Sequence, residues 1–308
     1  MSDTVTIRDV LVDAQRRFSS AGIASPDVDA AEIVAFVLGC ERNRLFMHEP
    51  MESDARVRVE RLVTRRLSRV PLQHILGTAG FRRMNVRVGP GVFIPRPETE
   101  LVVEAAIRHV KAESDRTAVD LCSGSGAIAL AIATEVDGVR VVGVEVSAEA
   151  LVWADVNHVA ATDLLTQQQS EVTFIEADGR TVADPGEPLA DMAGRVAVVT
   201  CNPPYIPDAM VPREPEVREH EPALALFGGP DGMDLVRPLA ETAARLLRPG
   251  GLLVMEHADV QGEDAGGLGV PGILRAAMSD AHEPLWRDVR DRTDLAGRPR
   301  FTMAVRAR

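Results

Sequence analysis

The 308 residues, 45% of them hydrophobic and only 4% aromatic, can bury one sizeable domain plus a smaller one, around cores that must be largely aliphatic. A net charge of −12 and a pI near 5.1 oppose a surface built to neutralise a phosphate backbone, so stable nucleic-acid binding is not expected. Cys40, Cys122 and Cys201 are widely spaced and odd in number, which predicts reduced thiols and no metal site; Met1-Ser2-Asp3-Thr4 lacks the regions of a signal peptide and no apolar run spans a bilayer, so a soluble cytoplasmic protein is expected.

Residues 1–76 are predicted to be helical. Thr6 is placed to cap a helix carrying Val10, Leu11, Ala14 and Phe18 on one side, with Gly22 ending it. Ser25-Pro26 opens a second helix, with Ile33, Val34, Val37 and Leu38 inward and Gly39 after them. A short segment around Leu45-Phe46 precedes a helix from Ser53 to about Ser68, and together these predict a small bundle. Arg56, Arg58, Arg61, Arg65, Arg66 and Arg69 make the last helix far more basic than the chain; it is either a solvated face or a docking face for an acidic macromolecule.

From Gly77 the period changes to two. Met84, Val86 and Val88 alternate with polar residues, Gly89-Pro90-Gly91 turns the chain, and Val92-Phe93-Ile94 follows, which predicts a β-hairpin linker over 77–97. Prolines on both sides of Arg96 fix its direction, making it a candidate substrate-binding residue; a helix then runs from Leu101 to about Glu113.

The domain predicted over 98–308 alternates strands and helices. Strands are expected at 118–121, 140–146, 172–175, 196–201, 252–256 and 301–305, with helices around 126–135, 148–160, 233–247 and 270–280. Such alternation implies an α/β fold with a Rossmann-like parallel sheet and helices on both faces. The Gly- and acid-rich stretches 179–195 and 258–269 are expected as mobile loops.

Asp120-Leu121-Cys122-Ser123-Gly124-Ser125-Gly126 follows the first of these strands and opens a helix, where glycines let a ligand approach the backbone and N–H groups stay free. Glu145, nineteen residues beyond Gly126 at the end of the next strand, is placed to accept hydrogen bonds from ribose hydroxyls. The loop is neither G-x-G-x-x-G nor a Walker A sequence, so a nucleoside without phosphates fits better than a dinucleotide or triphosphate. Asp178, with Gly179 beside it, is a candidate for an adenine amino group, the alternative being a solvated loop aspartate. S-adenosylmethionine has the required ribose, adenine and reactive methyl group.

Asn202-Pro203-Pro204-Tyr205 follows the apolar strand 196–201. The prolines stiffen the turn and offer carbonyl acceptors, with an amide before them and the chain's single tyrosine after. Such a turn suits a planar group bearing N–H donors, a nucleobase amino group or a carboxamide; a rigid loop whose tyrosine merely packs is the other reading of these four residues. Asn202 would also border the methyl donor.

With these residues in hand, the sequence resembles the HemK/PrmC family of class I S-adenosylmethionine-dependent methyltransferases. Phe93-Ile94-Pro95-Arg96-Pro97-Glu98-Thr99-Glu100 looks like its linker signature and Asn202-Pro203-Pro204-Tyr205 like its catalytic loop. Glu221 to Gly229, then Asp231-Gly232, is similar to its downstream segment, whereas Cys122 stands where the family commonly has glycine. The resemblance implies a helical N-terminal domain that helps hold a peptide chain release factor, and methylation of the glutamine in that factor's Gly-Gly-Gln motif. It implies Asn202, Pro203 and Tyr205 as catalytic, Pro204 as substrate-binding, and Asp120, Cys122, Ser123, Gly124, Ser125 and Gly126 with Glu145 around the cofactor. The rival expectations are an amino-group methyltransferase acting on nucleic acid or a ribosomal protein, and a non-catalytic protein that binds release factors.

Overall fold

A computed structural model describes residues 5–48 and 50–308, apart from the side chains of 266–268; the opening stretch Met1-Ser2-Asp3-Thr4 lies outside the described residues. The chain divides into two compact units, one of residues up to Thr78 with Pro212–His220, the other of Ala79–Val211 with Glu221–Arg308. This differs from the expected division in two places. Residues 79–97 pack with the second unit, and 212–220, expected within the second domain, belong to the helical one.

The helical unit begins with α1 (Ile7–Ser20), where the Thr6 hydroxyl accepts from the Asp9 N–H at 3.1 Å and the Asp9 carboxylate accepts from the Thr6 N–H at 3.0 Å. It continues through α2 (Pro26–Leu38), which Gly39 ends in the left-handed region at φ 64°, then α3 (Ser53–Leu67) and α4 (Leu72–Leu76). Phe18, Ile33, Val34, Val59 and Val63 are among its core residues. The basic stripe of α3 divides in two. Arg56, Arg58, Arg61 and Arg65 are exposed, whereas Arg66 is buried between Asp29 at 2.7 Å and Glu216 at 2.7 Å, and Arg69 also reaches Glu216, at 2.8 Å. Two of the six arginines thus hold the unit together.

In the second unit, β1 (Thr78–Phe81) and β2 (Met84–Arg87) form a two-stranded sheet. The hairpin turn is at Arg82-Arg83, not at Gly89-Pro90-Gly91, and Val92-Phe93-Ile94 joins no strand. The reason lies in the helix Ala148–Gln168: the Trp153 indole donates to the Pro90 carbonyl at 3.1 Å, and the Asn157 amide exchanges hydrogen bonds with the Arg87 backbone. The chain after β2 is therefore held by a helix where a strand was expected.

Next come α5 (Glu100–Lys111), β3 (Thr117–Leu121), α6 (Ala127–Glu135), β4 (Arg140–Glu145), α7 (Ala148–Gln168), β5 (Glu171–Glu176) and β6 (Val196–Cys201). After α8 (Pro215–His220), which belongs to the helical unit, follow α9 (Val236–Leu246), β7 (Leu247–Glu256), α10 (Val270–Ala276), β8 (Trp286–Thr293) and β9 (Pro299–Arg306). The sheet order is β5-β4-β3-β6-β7-β9-β8, parallel from β5 to β7 and antiparallel beyond. Alternate residues serve opposite layers: Ala118, Leu252 and Val254 join the cluster with α5 and α6, whereas Val119, Leu253 and Met255 join that with α9 and α10. β8 was not expected, because only Trp286 of its residues is buried and its charged face suits a sheet edge. The stretch 179–195 is packed, with Val182, Ala183 and Leu189 buried in the second cluster.

The chain runs outward from β3 through β4 to β5, then returns to place β6 on the other side of β3. That reversal opens a crevice at the carboxyl ends of β3 and β6, where open α/β sheets bind ligands. Among the described residues, no helix is long and apolar enough to cross a membrane.

Candidate active site

β3 and β6 end side by side, with Leu121 paired to Cys201, so the glycine loop and the Asn202 loop leave the sheet together. Asp120 lies just inside. It is wholly buried, and its two oxygens accept from the Ser123 and Thr200 hydroxyls, each at 2.7 Å. The expected direct contact with a cofactor gives way to a structural one: with no surface exposed, Asp120 ties the glycine loop to β6.

Burial pushes the Asp120 carboxyl up to about 7, against the pull of those hydroxyls. A group raised in the fold keeps its proton where the unfolded chain has released it. Stability from this site is therefore full below the ordinary carboxylate value and declines as pH rises toward 7, by up to about 1.4 kcal/mol per pH unit. Urea midpoints from pH 5 to 7 should fall less steeply for Asp120→Asn than for the unaltered chain; parallel curves would rule out titration of this carboxyl in that window.

The glycine loop takes the left-handed region three times, at Cys122 (φ 61°), Gly124 (φ 56°) and Gly126 (φ 78°). For Cys122 this costs roughly 1–2 kcal/mol, which is the price of a side chain at that position. A Cβ on Gly126 would lie 2.6 Å from the Phe174 ring, whereas above Gly124 there is nothing within 4 Å. The backbone at Gly124 thus faces open space, as a close-lying ligand requires. Ser123 anchors the loop through its N–H to the Val144 carbonyl at 2.9 Å, and Ser125 through its carbonyl to the Asn157 amide at 2.9 Å.

Glu145 closes β4 and accepts from three backbone N–H groups: Gly124 at 2.8 Å, Val146 at 3.0 Å and Ser147 at 2.9 Å. A carboxylate offers about four acceptor positions, so capacity for a hydroxyl donor remains. Asp178 is gripped by Arg180 through both oxygens, at 2.6–3.0 Å, which holds its carboxyl below the usual range. It is a paired surface acid and does not stand free for an amino group. Gly179 packs beneath Leu239 of α9, where a Cβ would stand 3.0 Å away.

Pro203 and Pro204 are buried, and Asn202 and Tyr205 are partly exposed. The Asn202 Nδ2 donates to the Thr99 hydroxyl at 3.5 Å, and among the described residues Oδ1 takes no hydrogen bond. The downstream segment cradles the turn: the Ile206 N–H donates to the Leu226 carbonyl at 2.8 Å, and the Gly228 N–H to the Ile206 carbonyl at 2.9 Å. Gln261 donates from Nε2 to the Tyr205 carbonyl at 2.8 Å. The Tyr205 hydroxyl donates to Glu256 Oε1 at 3.4 Å. Burial pushes the Glu256 carboxyl up to about 7, opposed by Thr99, Arg300 and Tyr205. Arg96 pairs with Glu221, and its guanidinium lies 4.9 Å from the centre of the Phe93 ring. Its direction is fixed, and its charge is already met by Glu221.

Thr99, Glu256 and Gln261 were not singled out from the sequence. Glu256 carried a usable signal, an acid closing the apolar run Leu252–Met255 much as Glu145 closes β4.

Residues 9–77 match the model of the PrmC N-terminal domain, and residues 103–268, which hold the glycine loop, Glu145, Asn202 and Glu256, match that of FtsJ-like methyltransferases. Over 299 residues the chain is 44% identical to the release factor glutamine methyltransferase of Streptomyces coelicolor, covering 96% of each. The chain belongs to the release factor glutamine methyltransferase family. The Mycolicibacterium smegmatis member is 40% identical over 97% of this chain and 98% of its own. A solved release factor-specific protein-(glutamine-N5) methyltransferase from Alicyclobacillus acidocaldarius is 26% identical, with a TM-score of 0.39 over 72% of this chain and 99% of that one. As a member of this family the chain is a methyltransferase. Its crevice juxtaposes the glycine loop and Glu145 with an acceptor-rich turn, as a methyl donor and its acceptor require.

Proposed function

We propose that the chain transfers a methyl group from S-adenosylmethionine to the side-chain amide nitrogen of the glutamine in the Gly-Gly-Gln motif of peptide chain release factors, in the cytoplasm. The observation that carries this reading is the Asn202 amide, anchored by its nitrogen to Thr99 and with no hydrogen bond to its oxygen among the described residues, one strand away from the open backbone of Gly124.

S-adenosylmethionine supplies an electrophilic methyl group on a sulfonium. Cys122 to Gly126 would lie against it, Glu145 would accept from its ribose, and Gly179, or Asp178 on release from Arg180, would border its adenine. Opening the Arg180 pair is cheap, because exposed ion pairs are worth about 0–1 kcal/mol. An amide nitrogen is a poor nucleophile, its lone pair being delocalised into the carbonyl. Asn202 Oδ1 and the Pro203 carbonyl would accept its two hydrogens and aim it, while Tyr205 covers the amide plane. Orientation of this kind can lower a barrier by roughly 7–11 kcal/mol, and acceptors beside a nitrogen gaining positive charge add to it. Arg96 and Pro204 complete the walls on the substrate side.

Incubation with labelled cofactor and purified release factor, followed by mass spectrometric mapping, should place the label on that glutamine; label appearing in RNA, DNA or a ribosomal protein instead would overturn the reading. Glu145→Ala should weaken cofactor binding about tenfold to a hundredfold in calorimetry, as loss of a charged hydrogen-bond partner predicts. An unchanged affinity would remove the ribose assignment.

A further inference from the structure

Two of the four residues in the Asn202-Pro203-Pro204-Tyr205 turn lack an N–H, so the turn has few donors with which to hold its own shape. Donors have to come from outside it. The downstream segment supplies one just beyond the turn, where the Gly228 N–H meets the Ile206 carbonyl. At Tyr205 itself the donor is a side chain: Gln261 Nε2 lies 2.8 Å from the Tyr205 carbonyl and 3.4 Å from that of Asp231.

Gln261 is 5% exposed and closes the short turn Asp259–Gln261 that follows β7. Its backbone N–H donates to the Ala258 carbonyl at 3.0 Å, so the side chain starts from a fixed point. The amide can face only one way. Oε1 accepts from the Ala258 N–H at 3.0 Å, which leaves Nε2 for the two carbonyls; reversed, the amide would set oxygen against oxygen on one side and N–H against N–H on the other. A Cβ on Gly232 would meet both the Tyr205 carbonyl and Gln261 Nε2, so that glycine leaves the gap in which they bond. The charged groups around Gln261 are engaged elsewhere. The Asp231 carboxylate accepts from the Met233 N–H and that of Asp291 from the Glu263 N–H, Glu256 takes the Tyr205 hydroxyl at 3.4 Å, His257 turns to Thr302 and Asp291, and Asp259 is exposed.

We infer that Gln261 is a positioning residue, whose carboxamide pins the Tyr205 carbonyl and so sets the Asn202 turn against the end of β7. This rests on the reading of that turn as the substrate's acceptor under the proposed function. The bond closes a ring of structure. β6 pairs with β7 through Cys201 and Met255, the Asn202 turn leaves β6, the Gln261 turn leaves β7, and the amide joins the two again. Held by the strand at one end and by Gln261 at the other, the peptide units between them keep one orientation. Asn202 Oδ1 and the Pro203 carbonyl then stay where the substrate amide needs them, with no rearrangement at the moment of transfer.

The chain's single tyrosine makes the bond directly observable, because protein grown on tyrosine labelled with carbon-13 at the carbonyl gives one signal, that of Tyr205. Gln261→Met keeps the length of the side chain but has no N–H to give. It should shift that signal and lower kcat for methylation of purified release factor about tenfold or more, with a smaller change in KM and with cofactor affinity kept in calorimetry. Gln261→Glu carries the decisive profile. As an anion it sets a carboxylate against two carbonyls; protonated, it donates to Tyr205 and still accepts from Ala258. Burial raises the pH at which such a carboxyl releases its proton. Relative to the unaltered enzyme, kcat of Gln261→Glu should therefore climb as pH is lowered from about 9 toward about 6, by up to about tenfold per unit, and the Tyr205 carbonyl signal should titrate in step.

A Gln261→Met enzyme with normal kcat, or a Gln261→Glu enzyme whose kcat keeps a constant ratio to the unaltered one at every pH, would overturn the inference and leave the proposed function standing. A general weakening of the fold produces that constant ratio, so it refutes the inference too. If Gln261→Met does not fold, Gln261→Glu decides alone, followed upward in pH from its protonated, amide-like form. If the unaltered chain does not methylate release factor at all, the proposed function fails. The Tyr205 carbonyl signal then decides the pinning: it should shift in Gln261→Met and titrate in Gln261→Glu, and a signal unmoved in both refutes it.

Discussion

Replacing Asn202 by Ala is expected to lower kcat for release-factor methylation by about 10²–10³-fold while leaving cofactor affinity near its original value. The magnitude is that of removing one preorganised polar partner from a developing charge. The asymmetry follows from the site. Among the described residues Asn202 Oδ1 has no partner to lose, so truncation removes an acceptor for substrate, whereas the Glu145 contacts that hold the glycine loop lie on the other side of β3. Among the described residues the one side-chain bond lost is the long one to Thr99, so the fold should tolerate the change. Rapid-quench measurement of methyl transfer together with calorimetry separates the two effects. Near-normal turnover in Asn202→Ala would mean that the acceptor lies elsewhere in the turn. Asn202→Asp keeps one acceptor but cannot donate to Thr99, so it should fall between Ala and the unaltered enzyme.

The second large effect is expected at Gly232, which packs against the backbone of the Asn202 turn. Its φ of 78° lies in the left-handed region, and a Cβ there would collide with the Tyr205 carbonyl and stand 2.7 Å from Gln261 Nε2. Gly232→Ala thus imposes backbone strain of roughly 1–2 kcal/mol and steric strain of about 1–3 kcal/mol in the same place. The outlet is displacement of the Tyr205 carbonyl and loss of its bond to Gln261. We expect the unfolding free energy to drop by about 2–5 kcal/mol and kcat to fall at least tenfold, with cofactor binding preserved. An unfolding midpoint and kcat both unchanged would show that the cradle yields freely.

Much of this site could be read along the chain, because its parts are local. The apolar run 196–201 followed by Asn202-Pro203-Pro204-Tyr205, the glycine loop after 118–121 and Glu145 at a strand end each state a strand, an edge and a polar group in consecutive residues. The strand and helix alternation that defines the sheet was legible for the same reason. Thr99, Glu256 and Gln261 were not, since only the folded chain brings 99, 205, 256 and 261 together. Arg66 reads as one of a basic series, and its burial depends on Asp29 and Glu216, 37 residues before it and 150 after it. β8 was hidden by its charged edge face, and the linker turn by Trp153 and Asn157, which outcompete the glycines in deciding where the chain bends. The pairing of Asp178 with Arg180, two residues on, could also have been read along the chain as a competitor for its carboxylate.

The excursion Pro212–His220 gives the helical unit a non-contiguous boundary. A segment inside the catalytic half of the sequence supplies Glu216, one of the two carboxylates around buried Arg66. A fragment cut after residue 77, where the match to the N-terminal family model ends, would leave Arg66 with Asp29 alone and Arg69 without its acid. The bundle is therefore not a cassette that can be grafted or exchanged by its N-terminal stretch; shuffling between relatives has to carry residues 212–220 along with it.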